Sequence, residues 1–422
     1  MKHYRLKNLD IILEREGANR YTKASYPIRY GRYSEIETRD YLFQFNLNGD
    51  IKYIRGLNQD WPHPAEWLKR TEANDWAYYT AGGYRGIFHT LGEYYLPCLS
   101  YPSNSVYGYN PFADENIQKA FKAWIRLLEN LRRMRTNGIP SKVKNFLFHI
   151  SGRNPCALRI RSEKLHRIIG GQVSVLPPDT RHVDYGVIPL MLTDGCRYHC
   201  GFCCIKTRQN FHPRSRGNVR QQIRQLRAFY GADLANHNAI FLGNHDALAA
   251  GHEHICMAAA EAYAAFDFEK AYVKDPALFL FGSVDSLLDA GDDLFETLNR
   301  LPFYTYINVG LESVDAATLK SIQKPLEISK IEDAFQLMLA VNRSYPNLEI
   351  TANFLLGDHL SARHYQALVK LIRNRLDRYY SKGAIYLSPL NTSHDNRKLL
   401  NKFVEIKNLS RLPTYLYLIQ RL

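Results

Sequence analysis

The sequence predicts an α/β chain: a partial (βα)6, TIM-like barrel over residues 181–390, preceded by an α+β domain over 1–180 and followed by a covering segment over 391–422. Three observations carry this. Beyond residue 187, apolar runs of strand length alternate with helix-period stretches, the rhythm of βα units around a parallel sheet. Before that point the chain is rich in Tyr and Trp and lacks the rhythm, and Gly170-Gly171 and Pro177-Pro178 mark the change near residue 180. A length of 422 residues exceeds one small core and makes two domains the natural division.

Composition sets the outer limits. A hydrophobic share of 45% supports a packed core, and no low-complexity tract argues for disorder. The N-terminus has no apolar run behind its charges, so no signal peptide is expected, and no stretch reaches the roughly 18 apolar residues of a membrane span. Seven cysteines, four of them within residues 196–204, suit a reducing cytoplasm better than a disulfide framework. The net charge of +14 is uneven: residues 119–170 hold 13 Lys and Arg against 2 acids. Clustered positive charge points to a polyanion such as RNA, although a basic surface also serves solubility alone.

In the first domain, Tyr41-Leu-Phe-Gln-Phe-Asn-Leu and Ile51-Lys-Tyr-Ile flank Asn48-Gly49 and read as a β-hairpin. Ala65-Glu-Trp-Leu-Lys-Arg reads as the start of a short helix, and Ala81-Gly-Gly-Tyr-Arg-Gly as a loop with weak phosphate-binding character. Trp61, Trp67, Trp76, Tyr78 and Tyr79 suit the core of a small domain more than a stacking surface. From Asp114 to about Arg135 a helix is expected, with Ile117, Phe121, Trp124, Leu128 and Leu131 on one stripe and Lys119, Lys122, Arg126 and Arg133 around it. Gly138 and Pro140 end it. The segment from Lys142 to Arg167 is basic throughout.

In the second domain the expected strands are 187–192, 239–243, 278–282, 304–309, 348–356 and 384–387. The helices between them cover 216–230, 253–264, 292–300, two through Ala340, and 361–377. The closing segment from Asn391 is expected to pack across the opening of an incomplete barrel.

The first strand delivers Cys196-Arg-Tyr-His-Cys200-Gly-Phe-Cys203 at its C-terminal end, where a βα barrel keeps its chemistry. Three thiols at spacing x3 and x2 let one loop wrap a small object, and an iron–sulfur cube held by three cysteines leaves one iron open. Zinc completed by His199 or His212 is the alternative, but no second Cys-x-x-Cys pair exists, and zinc sites usually show two pairs. Cys204, next to Cys203, is read as a small buried side chain. Later strand ends supply Gly243-Asn-His-Asp246, Ser283-Val-Asp285, Gly310-Leu-Glu312-Ser313 and Gly357. Singly, each has an ordinary reading: Asp246, for example, could cap the following helix.

The cysteine spacing, with Phe202 before the last cysteine, resembles the signature of radical S-adenosylmethionine (SAM) enzymes, and the resemblance covers roughly residues 187–390. The run from Gly310 to Lys324 is similar to the fourth-strand segment of the branch containing oxygen-independent coproporphyrinogen dehydrogenase, the Elongator catalytic subunit and methylthiotransferases. The resemblance implies a radical SAM barrel and a [4Fe–4S] cluster on Cys196, Cys200 and Cys203. It also implies SAM as cofactor and one-electron donation by a flavodoxin or ferredoxin. It places Glu312 on the SAM ribose and a strand-two acid on the methionine amino group. Here only Gly243 of that second motif is kept, with Asp246 the first choice of acid. Phe202, Ser283, Asp285, Ser313 and Gly357 are further candidate SAM contacts, and no residue is assigned to hydrogen transfer. The chain departs from its relatives in three ways: nothing resembles an acetyltransferase domain, no cysteine follows Cys256, and no Asp-x-His-x-x-Gly cobalamin motif occurs. Three functions follow: radical SAM chemistry on RNA, the same chemistry on a small molecule, tetrapyrrole or peptide, or a non-catalytic metal-binding module.

Overall fold

The computed structural model describes all residues except 1, 7, 21–28, 63, 65, 82–94, 99–110, 136, 185, 204, 206–208, 391–395 and 420. The Gly-rich stretch after Ala81 and Cys204 therefore lie outside the described residues.

Two sheets dominate. The first is an antiparallel meander of eight strands in chain order: β1 (Lys2–Leu6), β2 (Leu9–Glu16), β3 (Arg32–Glu37), β4 (Tyr41–Phe45), β5 (Ile51–Gly56), β6 (Trp67–Arg70), β7 (Trp76–Ala81) and β8 (Tyr95–Cys98). The Asn-Gly hairpin is its centre, with Phe43 opposite Ile54 and Gly49 at φ +75°. Three helices cover one face: α1 (Glu115–Arg133), α2 (Ser141–Ser151) and α3 (Pro155–Ile169). Asp114 caps α1 by accepting the Asn116 N–H at 2.8 Å, and Ile117, Trp124 and Leu128 bury its apolar stripe against Phe43, Phe45 and Ile54. The expected tryptophan core is present: Trp61 and Trp67 are buried, and Trp76 stacks edge-on against Phe121.

Residues 67–70 correct the sequence reading: where helix formers suggested a helix, they form a strand between β5 and β7. The reason is tertiary. Lys69 is buried and reaches Asp184 at 2.6 Å, while Arg70 Nε donates to the Ile51 carbonyl at 3.0 Å. Both long side chains find partners only in the pleated conformation, which outweighs local propensity.

The second sheet is parallel with the order β17-β16-β15-β14-β13-β12-β9. Its strands are β9 (Ile188–Pro189), β12 (Ala239–Asp246), β13 (Ala277–Gly282), β14 (Tyr304–Glu312), β15 (Leu348–Leu356), β16 (Ile385–Pro389) and β17 (Thr414–Leu416). Connecting helices are α4 (Arg216–Tyr230), α5 (His252–Ala265), α6 (Val284–Leu288), α7 (Asp292–Arg300), α8 (Ala316–Ser321), α9 (Ile328–Ser344) and α10 (Ala362–Val369, continued by a π-turn to Asn374). A two-stranded ribbon, β10 (Thr193–Asp194) with β11 (His212–Pro213), follows β9. Strands appear at all six expected places, although the first, expected over 187–192, is only the two residues of β9; the barrel is incomplete, with β9 and β17 at its edges.

The closing segment does more than cover. After α11 (Asn396–Leu409) it adds β17 as a seventh parallel strand, pairing Ile385 with Thr414. Its end then packs on the linker, where Tyr417 donates to the Leu176 carbonyl at 2.7 Å. The two halves share helix α3. Leu158 belongs to the meander core, whereas Leu165 and Ile169 belong to the barrel core. Buried polar pairs join them further, with Tyr53 donating to Asp184 at 2.6 Å and Asn46 to Asp233 at 3.2 Å.

Candidate functional site

The site grows from the loop after β10. Gly195 takes φ +75°, and a side chain there would meet the Asn210 carbonyl at 2.1 Å, so only glycine admits the closed loop that Cys196 and Asn210 bridge. Cys196 and Cys203 are half-buried and Cys200 is buried; none of the three is in a disulfide. The Gly201 N–H donates to the Ile322 carbonyl at 2.9 Å, which fixes the loop against the end of α8. Phe202 packs on the barrel core beside the last cysteine. Burial pushes the Cys200 thiol up, while Lys324 pulls it down and Glu312 and Cys196 push it further up. These three groups therefore surround it electrostatically. His212, a ligand in the zinc alternative, is engaged with the Asn210 carbonyl at 3.2 Å and lies 3.7 Å from Asp194.

Tyr198, inside the x3 spacer, is a residue the sequence reading passed over. Its hydroxyl donates to Asp285 Oδ2 at 2.7 Å and accepts the Asp285 N–H at 3.1 Å. Lys330 pairs with the other carboxylate oxygen at 2.8 Å. Asp285 thus braces the cysteine loop, with Lys330 and then Tyr198 holding its carboxyl below the ordinary range.

Asp246 closes β12, which bulges between Phe241 and Asp246. Gly243 takes φ +104° there and lies against Met191 and Leu192, the residues leading to the cysteine loop. Asp246 Oδ1 accepts three donors: Ser286 Oγ at 2.7 Å, Ser283 N–H at 3.2 Å and Ala249 N–H at 3.2 Å. Its other oxygen, Oδ2, is buried with no hydrogen-bond partner among the described residues. Ser283 is the N-cap of α6 in a capping box with Ser286, so the structure brings Ser283 beside Asp246 but commits its hydroxyl to the helix end.

Glu312 is the strained member. It is buried at the end of β14 with φ +64°, at a bulge between Gly310 and Glu312. A non-glycine residue in that region costs on the order of 1–3 kcal/mol and persists where the surroundings demand it. Gly310 makes room: a side chain there would fall 2.3 Å from Glu312 Oε1. Lys324 Nζ lies 3.3 Å from that oxygen, donates to the Gly310 carbonyl at 2.6 Å and sits 5.4 Å from the Tyr198 ring centroid. Burial pushes the Glu312 carboxyl up, and Lys324 pulls it back. Lys324 also escaped the sequence reading; its signal was its place at the end of the Gly310–Lys324 run.

Ser313 and Gly357 take a bracing part. His364 Nε2 donates to the Leu355 carbonyl at 3.0 Å, so its Nδ1 accepts the Ser313 hydroxyl at 2.8 Å. Ser313 is fully buried and also accepts the Asp315 N–H at 3.0 Å. Gly357 exchanges two hydrogen bonds with the Tyr365 hydroxyl, at 2.7 and 3.0 Å. The structure thus gathers the cysteine loop, Tyr198, Asp285, Lys324 and Glu312 in one connected group, with Asp246 and Ser283 at the neighbouring strand ends.

The donor set suits an iron–sulfur cluster: three soft thiols on one loop, partly withdrawn from water, with an ammonium beside the most buried of them. A buried, unpartnered carboxylate oxygen at an adjacent strand end calls for a cationic donor. The family described as the Radical SAM superfamily matches residues 190–372. The cobalamin-dependent SAM radical enzyme OxsB, solved with aqua-cobalamin and SAM bound, is similar at a TM-score of 0.34 and 14% identity, over 55% of this chain and 31% of that one. A radical SAM methyltransferase from Sphaerobacter thermophilus gives 0.35 and 16%, over 55% and 65%. Methylornithine synthase (PylB) gives 0.31 and 9%, over 74% and 85%. The match therefore spans about a third of the OxsB chain. No curated protein matches this chain.

Proposed function

Residues 190–372 are a radical SAM domain of an enzyme whose cofactors are a [4Fe–4S] cluster and SAM, and from that premise we propose that Cys196, Cys200 and Cys203 hold the cluster and that the chain modifies RNA. The observation that carries the cofactor reading is the meeting of the cysteine loop with Glu312, Lys324 and Asp285 at the C-terminal ends of the strands, beside Asp246 with its bare buried oxygen. Held by Cys196, Cys200 and Cys203, the cluster would supply the one-electron reduction that cleaves SAM and so makes hydrogen abstraction from a substrate possible.

The chain's own residues bind and orient. Lys324 places positive charge beside Cys200 and favours the thiolate that ligation needs. Asp246 Oδ2 offers a buried acceptor for the SAM ammonium group, with Oδ1 locked by Ser283, Ser286 and Ala249. Glu312, aimed inward by its left-handed backbone, offers acceptors to the ribose hydroxyls. Tyr198 and Asp285 hold the cysteine loop against α6. Phe202 and the apolar strand ends exclude water around these charges. A flavodoxin or ferredoxin type of donor supplies the electron.

Anaerobic reconstitution tests this. With SAM and dithionite, the brown protein is expected to carry close to four irons and to form 5′-deoxyadenosine, more so with bulk small RNA. Equal product with and without RNA would keep the enzyme class and move the substrate to small molecules or peptides. Zinc without iron, and no product, would sink the reading.

A further inference from the structure

The helices α1, α2 and α3 turn their apolar stripes inward, yet their outward faces carry an unusual combination. Phe148 on α2 is 82% exposed and Ile160 on α3 is 52% exposed. The same three helices carry exposed Lys122, Arg133, Lys144, Lys164 and Arg167, and α4 carries exposed Arg224. None of these six cations has a carboxylate partner among the described residues. Other cations of the same helices are paired: Lys142 with Glu14 at 2.6 Å, Arg159 with Glu163 at 2.5 Å, Arg216 with Glu253 at 2.7 Å and Arg220 with Glu261 at 2.7 Å. A positive excess remains on these helices, since residues 119–170 hold 13 Lys and Arg against 2 acids.

That tract leads to the site. Arg161 ties α3 to α4 by donating to the Phe229 carbonyl at 2.9 Å, with its guanidinium 4.0 Å from the Phe229 ring centroid. At the end of α3 the Ile169 carbonyl accepts from Arg214 Nη1 at 2.7 Å. Arg214 also grips Asp194 through both carboxylate oxygens, at 2.7 and 2.6 Å, and Asp194 stands two residues before Cys196. One rigid line of contacts thus joins the basic helices to the cysteine loop.

We propose that the outward faces of α1–α3 and α4 are an RNA-docking surface that leads an RNA strand toward the cysteine loop; this rests on the RNA reading above and names its surface. Uncompensated Lys and Arg neutralise phosphates. A solvent-exposed aromatic ring offers a platform for an unstacked base, which RNA loops present and duplexes do not. A membrane-lying helix turns a continuous apolar face outward, whereas here the apolar stripes are buried in the core and the exposed Ile125, Phe148 and Ile160 stand one to a helix.

Fluorescence anisotropy with a labelled, loop-containing RNA and the cluster-loaded full chain tests this. In the triple variant Lys144→Gln, Lys164→Gln and Arg167→Gln, affinity is expected to fall at least about tenfold, and the salt slope by about 2, since each phosphate contact adds about 0.7. Phe148→Ala is expected to weaken binding by about tenfold with the slope unchanged. Both variants are expected to keep RNA-free 5′-deoxyadenosine formation, so a failed radical reading would show separately as its absence in the wild type. Unaltered RNA affinity in both variants would overturn the proposal. So would tighter binding to anionic phospholipid vesicles than to RNA, again lost in the triple variant.

Discussion

The two ends of the barrel use the same kinds of side chain to opposite purpose. At the N-terminal end the turn at residues 178–183 plugs the interior. Asp179 is wholly buried, with one carboxylate oxygen taken by the Tyr386 hydroxyl at 2.6 Å and the other by Thr351 at 2.8 Å. Glu349 accepts the Gly383 and Ala384 N–H groups at 2.9 and 3.3 Å, and the Arg181 guanidinium lies 3.9 Å from the Tyr415 ring centroid. Above this, Asn308 and Asn353 satisfy each other at 2.6 and 3.1 Å. At the C-terminal end a buried carboxylate oxygen of Asp246 has no hydrogen-bond partner among the described residues, and Glu312 is held with φ +64°. The Asp179 and Glu349 carboxylates of the N-terminal end are satisfied, although Thr305 Oγ1 there is buried without a hydrogen-bond partner among the described residues and Asp184 closes the turn at φ +54°. At the C-terminal end the unsatisfied and strained groups are themselves carboxylates.

The largest test of this contrast is Cys200→Ala. It is expected to abolish cluster retention and lower 5′-deoxyadenosine formation by at least about a thousandfold, read by iron content and product assay, while the fold survives in circular dichroism. Next, Asp246→Asn is expected to raise the SAM Kd by about ten- to a hundredfold, consistent with losing a charge-assisted contact. Its melting temperature should stay within a few degrees, because Oδ1 keeps its three donors. Substantial unfolding without a change in SAM affinity would make Asp246 a structural residue.

At the other end the pattern reverses. Asp179→Ala is expected to cost roughly 1–3 kcal/mol of stability by stripping acceptors from Tyr386 and Thr351, measured by denaturant titration, with SAM affinity unchanged. Glu349 adds a pH signature. Burial, then the charge of Asp179, push its carboxyl up to about 7 from its ordinary 4.5, so between those values the folded chain holds a proton that the unfolded chain has lost. Stability contributed by protonated Glu349 is therefore present at low pH and lost as pH rises through about 7. Glu349→Gln should match the wild type near pH 4.5 and exceed it at pH 8 by at most about 3 kcal/mol. The smallest effect is expected from Tyr198→Phe, worth about 1 kcal/mol and read as a few-fold faster loss of iron to a chelator.

Much of this was legible from the sequence because local spacing and glycine placement carry it. The Cys196–Cys203 run, the six strand-length apolar stretches and the Asn48-Gly49 turn each state their geometry within a few residues. The candidate strand-end residues were found by position alone, yet position could not separate them. Ser283 and Ser313 sit at strand ends as Glu312 does, but their hydroxyls are committed to Ser286 and His364. Only contacts between distant residues reveal that. The misread strand at Trp67–Arg70 has the same origin, since its lysine is satisfied by Asp184, more than a hundred residues away.

The sequence by itself determined the candidates: three thiols in one loop, after the first strand of a βα series, are legible because residue spacing and hydrophobic period are local properties. The tertiary structure alone decided which polar groups are spent and which remain to bind. Tyr198 and Asp285 became a brace, Lys324 and Glu312 a charged pair beside Cys200, and β17 a seventh strand. It also decided that α3 would carry the basic surface to the cysteine loop through Arg214. Hydrogen bonds and burial depend on which distant segments meet, and that information is set by packing.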